Sequence, residues 1–273
     1  MREHTVARDG EPDLFVVETG PTDARPILFV HGYSQSHLSW RDQLDSTLAD
    51  DYRLVAVDLR GHGDSAKPRN AYGDGDYWAS DVAALVDALE LDDLVLVGWS
   101  YGSLVALDYL ARGTERVAGA VLVGVVAGIG TETTNEWLGE EYLALFPELV
   151  STDAEESAAA LSAFVDLCYR ESPPADQRYL DLGFNTVVPP YVRDGMRDRE
   201  VSHLDLLDEL DVPTLLVHGV HDAVVSVEAG RAVADRLPDG QLVEYPESGH
   251  TPFRENPERF EADLREFVGA LSD

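Results

Sequence analysis

A serine set between two glycines, in Gly98-Trp99-Ser100-Tyr101-Gly102, is the group in this chain best suited to chemistry. A serine hydroxyl is a weak nucleophile until a base takes its proton, and that base works best when an acid orients it. The pattern G-x-S-x-G arises by chance in about one chain in ten of this size, so its surroundings decide its meaning. An apolar run at 94–97 precedes it and a helical segment follows from Ser103. A nucleophile on such a strand-to-helix turn protrudes, and Gly98 and Gly102 let the backbone close tightly around it. Downstream, Asp222 in His218-Gly219-Val220-His221-Asp222 follows the apolar run 214–217. His250, in Ser248-Gly249-His250-Thr251-Pro252-Phe253, follows the run 241–245. An Asp in a loop is ordinarily a turn former and a lone His a surface or core residue. Here the three residue types that activate a hydroxyl fall at successive strand ends, where open parallel sheets gather their active sites. We predict a catalytic triad of Ser100, Asp222 and His250.

Attack on a carbonyl builds negative charge that two backbone donors must meet. The N–H of Tyr101, at the start of the helix behind Ser100, is one expected donor. The N–H of Tyr33, in the loop His31-Gly32-Tyr33 after the run 27–30, is the other. His31 is expected to brace that loop, and His221 is set aside because it points away from its neighbour Asp222. No phosphate-binding glycine loop and no His or Cys pair at metal spacing occurs, so no cofactor and no metal is expected. Cys168 is the single cysteine and reads as a small buried hydrophobe.

The elements that must hold these residues follow from the apolar pattern. Runs at 27–30, 54–57, 94–97, 118–126 and 214–217 are short, nearly continuous and rich in Val and Leu. They predict strands buried on both faces, hence a largely parallel sheet. Helical periodicity lies between them, as in Trp40, Leu44 and Leu48 or Val82, Leu85, Val86 and Leu89. This alternation predicts an α/β chain, a doubly wound sheet with helices on both faces. Residues 14–18 alternate weakly and are expected to form an antiparallel edge strand. From about 129 to 204 the rhythm stops. That stretch carries helical segments at 136–146 and 154–169, the connectors Pro173-Pro174 and Pro189-Pro190, and many aromatic residues. It predicts a helical cap at 129–204 inserted into a core of 1–128 and 205–273, whose last helix spans 257–271.

Composition bounds the partners. Of 273 residues, 52 are acidic and 20 basic, a net charge of -32, and Lys67 is the only lysine. Such a surface repels nucleic acid and anionic membranes. Self-repulsion this strong is screened well by concentrated salt, which points to a salt-rich habitat. Without an apolar N-terminal stretch or a span-length apolar run, a soluble cytoplasmic protein is expected.

The chain resembles the capped α/β-hydrolase superfamily along essentially its whole length. The resemblance rests on Phe29-Val30-His31-Gly32, Asp58-Leu59-Arg60-Gly61-His62-Gly63-Asp64-Ser65, the Gly98 to Gly102 elbow, His218 to Asp222, and Gly249-His250. The chain order Ser, Asp, His matches that superfamily. The resemblance implies that His62 and Asp64 brace a structural loop. Similar sequences include carboxylesterases, cofactor-free perhydrolases, C–C hydrolases and acyltransferases. Relatives that dehalogenate or open epoxides attack with an Asp at the elbow, so Ser100 argues against both chemistries. The loop His31-Gly32-Tyr33-Ser34 also lacks the several glycines of lipase-type loops, which weakens the case for bulky esters. The expected function is hydrolysis of a small carboxylic ester or related acyl substrate through an acyl-enzyme. C–C hydrolysis or acyl transfer by the same triad is the alternative, with a non-enzymatic ligand receptor behind both. An Arg in the cap facing Ser100 would favour the C–C reaction; Arg170, Arg178, Arg193, Arg197 and Arg199 are candidates.

Overall fold

A computed structural model describes residues 1–271. Eight strands form one sheet: β1 (Arg2–Val6), β2 (Leu14–Thr19), β3 (Pro26–Val30), β4 (Arg53–Val57), β5 (Leu94–Trp99), β6 (Val117–Val123), β7 (Thr214–Gly219) and β8 (Gly240–Tyr245). Their spatial order is β1-β2-β4-β3-β5-β6-β7-β8. Every pair is parallel except β1 with β2 and β2 with β4.

The continuous apolar runs follow from burial on two sides. In β3, Leu28 and Val30 enter one core, and Ile27 and Phe29 enter the other. The first core is closed by α1 (Gly75–Ala88) and α2 (Tyr101–Leu110), through Trp78, Val82, Leu85, Leu104 and Leu107. The second is closed by Trp40, Leu44 and Leu48 together with α8 (Pro257–Ala270), whose Phe260 and Leu264 are fully buried. Trp40 stacks on Phe253 with ring centroids 4.2 Å apart. α7 (Val227–Ala234) links β7 to β8.

Between β6 and β7 the chain adds no strand to the sheet. It forms α3 (Glu140–Leu149), α4 (Ala154–Leu167), α5 (Ala175–Val187) and α6 (Pro190–Arg197), with short turns between them. A ribbon of two residues on each side, Gly128–Ile129 against Val201–Ser202, ties the two ends of this stretch together. Among the described residues no helix is long and apolar enough to cross a membrane.

Several expectations change. β2 is antiparallel but internal, because β1 pairs outside it; β1 buries only Val6 and so carries no apolar pattern. β6 stops at Val123 rather than 126, since Gly124 turns the chain at φ 52°. The spacing of Trp40, Leu44 and Leu48 belongs to separate single turns rather than one helix. The helix expected over 136–146 begins at Glu140, behind Gly139, after a separate single turn at Glu132–Asn135. Each proline pair also opens a helix: Pro174 caps α5 and Pro190 is the first residue of α6. Proline is tolerated there because a first-turn N–H has no helical acceptor to lose.

Candidate active site

Ser100 stands between β5 and α2 in a conformation that few L-residues adopt, φ 54° and ψ -119°. Such backbone costs about 1–3 kcal/mol and persists only where its surroundings enforce it. Here its N–H donates to the Val123 carbonyl at 2.8 Å, and its carbonyl accepts from the Ser103 N–H at 2.9 Å and Oγ at 2.5 Å. The flanking glycines are required by close approach. A Cβ on Gly98 would lie 2.5 Å from the Gly102 carbonyl oxygen, and one on Gly102 would lie 2.3 Å from that of Val30. The elbow is thereby pressed against the end of β3. The loop that follows β3 lies over the serine: a Cβ on Gly32 would sit 3.2 Å from Ser100 Cβ.

Asp222 and His250 meet. His250 Nδ1 donates to Asp222 Oδ2 at 2.6 Å, and both side chains are buried. Asp222 Oδ1 accepts from the N–H groups of Val224 and Val225, each at 2.8 Å. Burial alone would raise its pKa. The His250 charge and the hydrogen bonds from His218 and His250 outweigh that and hold the carboxyl well below the usual range. It is therefore ionised, and the imidazole must present its proton on Nδ1. The remaining atoms of His250 are equally fixed. Its N–H donates to the Cys168 carbonyl at 3.0 Å, and its carbonyl accepts from Trp99 Nε1 at 2.8 Å. At Gly124 an added Cβ would stand 3.0 Å from the imidazole, so that turn leaves the ring its space.

His218 completes this arrangement and was not singled out in the sequence. Fully buried at the end of β7, it places Nε2 3.2 Å from Asp222 Oδ2 and 2.9 Å from the Val225 carbonyl. Its only sequence signal is its place four residues before Asp222. His221 is exposed, away from the pair. Glu255 was also missed: it accepts from the N–H groups of Gly249 (2.8 Å) and Arg170 (3.0 Å), tying the His250 loop to the end of α4.

The bracing residues behave as expected. His31 Nε2 accepts from the Leu59 N–H at 3.0 Å while Nδ1 donates to the Gly32 carbonyl at 2.8 Å. His62 Nδ1 donates to the Arg60 carbonyl at 2.8 Å. Burial lowers the pKa of His31 to about 4 and of His62 to about 3, so both are neutral. Asp64 donates its N–H to buried Asp58. Cys168 is buried, and burial pushes its thiol pKa up.

A cavity of about 320 Å³ opens above Ser100, lined also by Tyr33, Tyr101, Tyr142, Phe146 and Arg197. Among the described residues no backbone acceptor takes the Tyr33 or Tyr101 N–H. Their hydroxyls reach α6, Tyr33 donating to the Arg193 carbonyl at 3.2 Å and Tyr101 to that of Met196 at 3.4 Å. Of the five candidate arginines, Arg170 pairs with Glu247, Arg178 with Asp166 and Arg199 with Asp108. Arg193 is buried and donates to the carbonyls of Leu149, Asn185 and Val188 and to Ser157 Oγ. Arg197 alone of the five lines the cavity.

The fold agrees with what comparison with known proteins shows. The sequence profile described as alpha/beta hydrolase fold matches residues 25–257. The chain belongs to the alpha/beta hydrolase fold family. This alpha/beta hydrolase is 34% identical over 278 residues to a non-heme haloperoxidase of Rhodococcus erythropolis, with 96% of this chain and 97% of the relative covered. It is 30% identical to a bifunctional esterase/perhydrolase of Acinetobacter calcoaceticus, covering 97% and 99%. The crystal structure of an esterase from Rhodococcus sp. ECU1013 superposes with a TM-score of 0.92 at 38% identity over 99% of both chains.

Proposed function

We propose that this alpha/beta hydrolase is a serine esterase acting on a small carboxylic ester, with residues 129–204 as the cap over its site. Ser100 Oγ attacks the ester carbonyl and His250 Nε2 takes its proton, while ionised Asp222 holds the ring and stabilises the imidazolium. The Tyr33 and Tyr101 N–H groups meet the oxyanion, each contributing about 3–4 kcal/mol in comparable sites. The tetrahedral intermediate collapses, His250 returns the proton to the departing alcohol, and the acyl group remains on Ser100. Water, deprotonated by His250, then releases the acid and restores the serine.

The single observation that carries this reading is the 2.6 Å Asp222–His250 bond, which leaves Nε2 as the free nitrogen of a base whose backbone is tied to Trp99, the residue before the strained Ser100. The esterase among the structural relatives supports the ester as substrate. Hydrolysis of short p-nitrophenyl esters tests it: Ser100→Ala should lower kcat by at least about 10³-fold with the fold intact. Equal rates for both proteins would refute the reading.

A second reading is favoured by the haloperoxidase and esterase/perhydrolase relatives. Hydrogen peroxide would replace water in the second step, so that the acyl-enzyme yields a peracid. Peracid formation from acetate ester and peroxide, abolished in Ser100→Ala, would establish it. The C–C reaction draws its only support from Arg197 and stands behind both.

A further inference from the structure

Arg197, the last residue of α6, is unusual in its pairing. Among the described residues nearly every arginine has a carboxylate partner, as the ion pairs of Arg53, Arg60, Arg178, Arg199 and Arg254 illustrate. Arg69, Arg193 and Arg197 have none. Arg193 gives its donors to carbonyls and Ser157 in the interior, and Arg69 lies over the Tyr191 ring at 4.6 Å. Arg197 lies over the Phe146 ring at 5.1 Å, and both residues line the cavity above Ser100.

The cavity is also free of negative charge. In a chain with 52 carboxylates in 273 residues, about three of the sixteen lining residues would be acidic by composition alone. None is, and Arg197 bears the only formal charge in the lining. Its charge reaches inward: burial pushes the Tyr33 and Tyr142 phenols up in pKa, and Arg197 pulls against that shift in both. The other lining residues are chiefly apolar or aromatic, as Val126, Leu138 and Val225 are. An unpaired guanidinium at the edge of an apolar cavity offers its planar donors to a carboxylate-like group. Stacking on Phe146 holds the side chain in place before the substrate arrives.

We propose that Arg197 is the specificity-determining residue of this site and that the substrate is an acyl compound carrying a second, anionic group, a free carboxylate in the simplest case. The assignment rests on the esterase reading above. The apolar walls take the chain between the two ends, the reacting carbonyl lies at Ser100, and the carboxylate is held by Arg197.

The test uses the full chain and the monomethyl esters of succinic through suberic acid, each compared with the ester in which the free carboxylate is a carboxamide. Wild type should prefer the carboxylate form of at least one length. Arg197→Gln should raise KM for that ester about tenfold or more with kcat little changed, leave the carboxamide ester unaffected, and be partly rescued by Arg197→Lys. Equal losses on both esters, or no loss on either, would overturn the proposal. Binding of the matching dicarboxylate to Ser100→Ala, measured by calorimetry, separates the two readings. Binding that Arg197→Gln abolishes, without turnover of any ester by wild type, would support the subsite while refuting the esterase. Turnover of neutral esters with Arg197-independent binding would do the reverse.

Discussion

Histidine takes four different parts here, and the environment of each decides which. His250 has Nδ1 committed to an ionised carboxylate, the arrangement a general base needs. His218 approaches the same carboxylate oxygen, Oδ2, and helps keep the group charged. His221, one residue from Asp222, is exposed. His31 and His62 are buried 4.9 Å apart by ring centroids and kept neutral. The last pair has a consequence for stability. Their folded pKa values, about 4 and about 3, lie below the ordinary 6.5. The unfolded chain therefore binds protons that the folded chain refuses, and the contribution is full above pH 6.5. It is lost as pH falls toward about 4 for His31 and about 3 for His62. Urea midpoints of wild type and His62→Asn, measured from neutral pH downward, should converge or cross as wild type loses this term. A constant difference across that range would show that His62 is not held neutral.

At the scale of elements, the site depends on how the inserted helices grip the sheet. α6 takes the hydroxyls of both Tyr33 and Tyr101, and Asp181 of α5 pairs with Arg254 just beyond His250. The Cys168 carbonyl at the end of α4 holds the His250 N–H. Arg193 is the bolt among the inserted helices themselves, since it joins α6 to the ends of α3 and α5 and to Ser157 in α4. Burial lowers its pKa; a guanidinium nonetheless stays charged in proteins, so the carbonyl oxygens around it must carry the charge. Arg193→Met removes those donors and orphans several buried acceptors, which should destabilise the chain by about 3 kcal/mol. Arg193→Lys should recover only part, because one ammonium cannot span the same fork of acceptors. Chemical denaturation of the three proteins measures this, and a Met variant as stable as wild type would deny Arg193 that role.

For the molecule as a whole, net charge and ion pairs make opposite demands on salt. A charge of -32 repels itself across the surface, while many exposed pairs, such as Arg231 with Glu244, would be weakened by screening. An exposed pair contributes about 0–1 kcal/mol, and the repulsion acts on every unpaired carboxylate at once. The repulsion should win. Raising sodium chloride from about 0.1 M to about 1 M shortens the Debye length from about 10 Å to about 3 Å and should raise the thermal midpoint. A midpoint that falls with salt would mean that the ion pairs dominate and would remove the reading of the acidic surface as a salt adaptation.

Local signals in the sequence reached the buried strands and the serine turn, though element ends, such as β6 stopping at Val123, were set by the fold. Short apolar runs marked the strands buried on both faces, the elbow glycines marked a turn too tight for a side chain, and strand ends marked Asp222 and His250. Contacts made by residues with no pattern of their own were decided only in three dimensions. β1 is polar and takes its place through backbone pairing to β2, a contact any residue can make. His218 gains its role from a 3.2 Å contact that its position near Asp222 suggests but cannot orient. The five arginines of the inserted stretch were equivalent in sequence because a charged side chain is defined by its partner. Only the folded chain gives four of them partners elsewhere and puts Arg197 in the lining of the cavity it shares with Ser100.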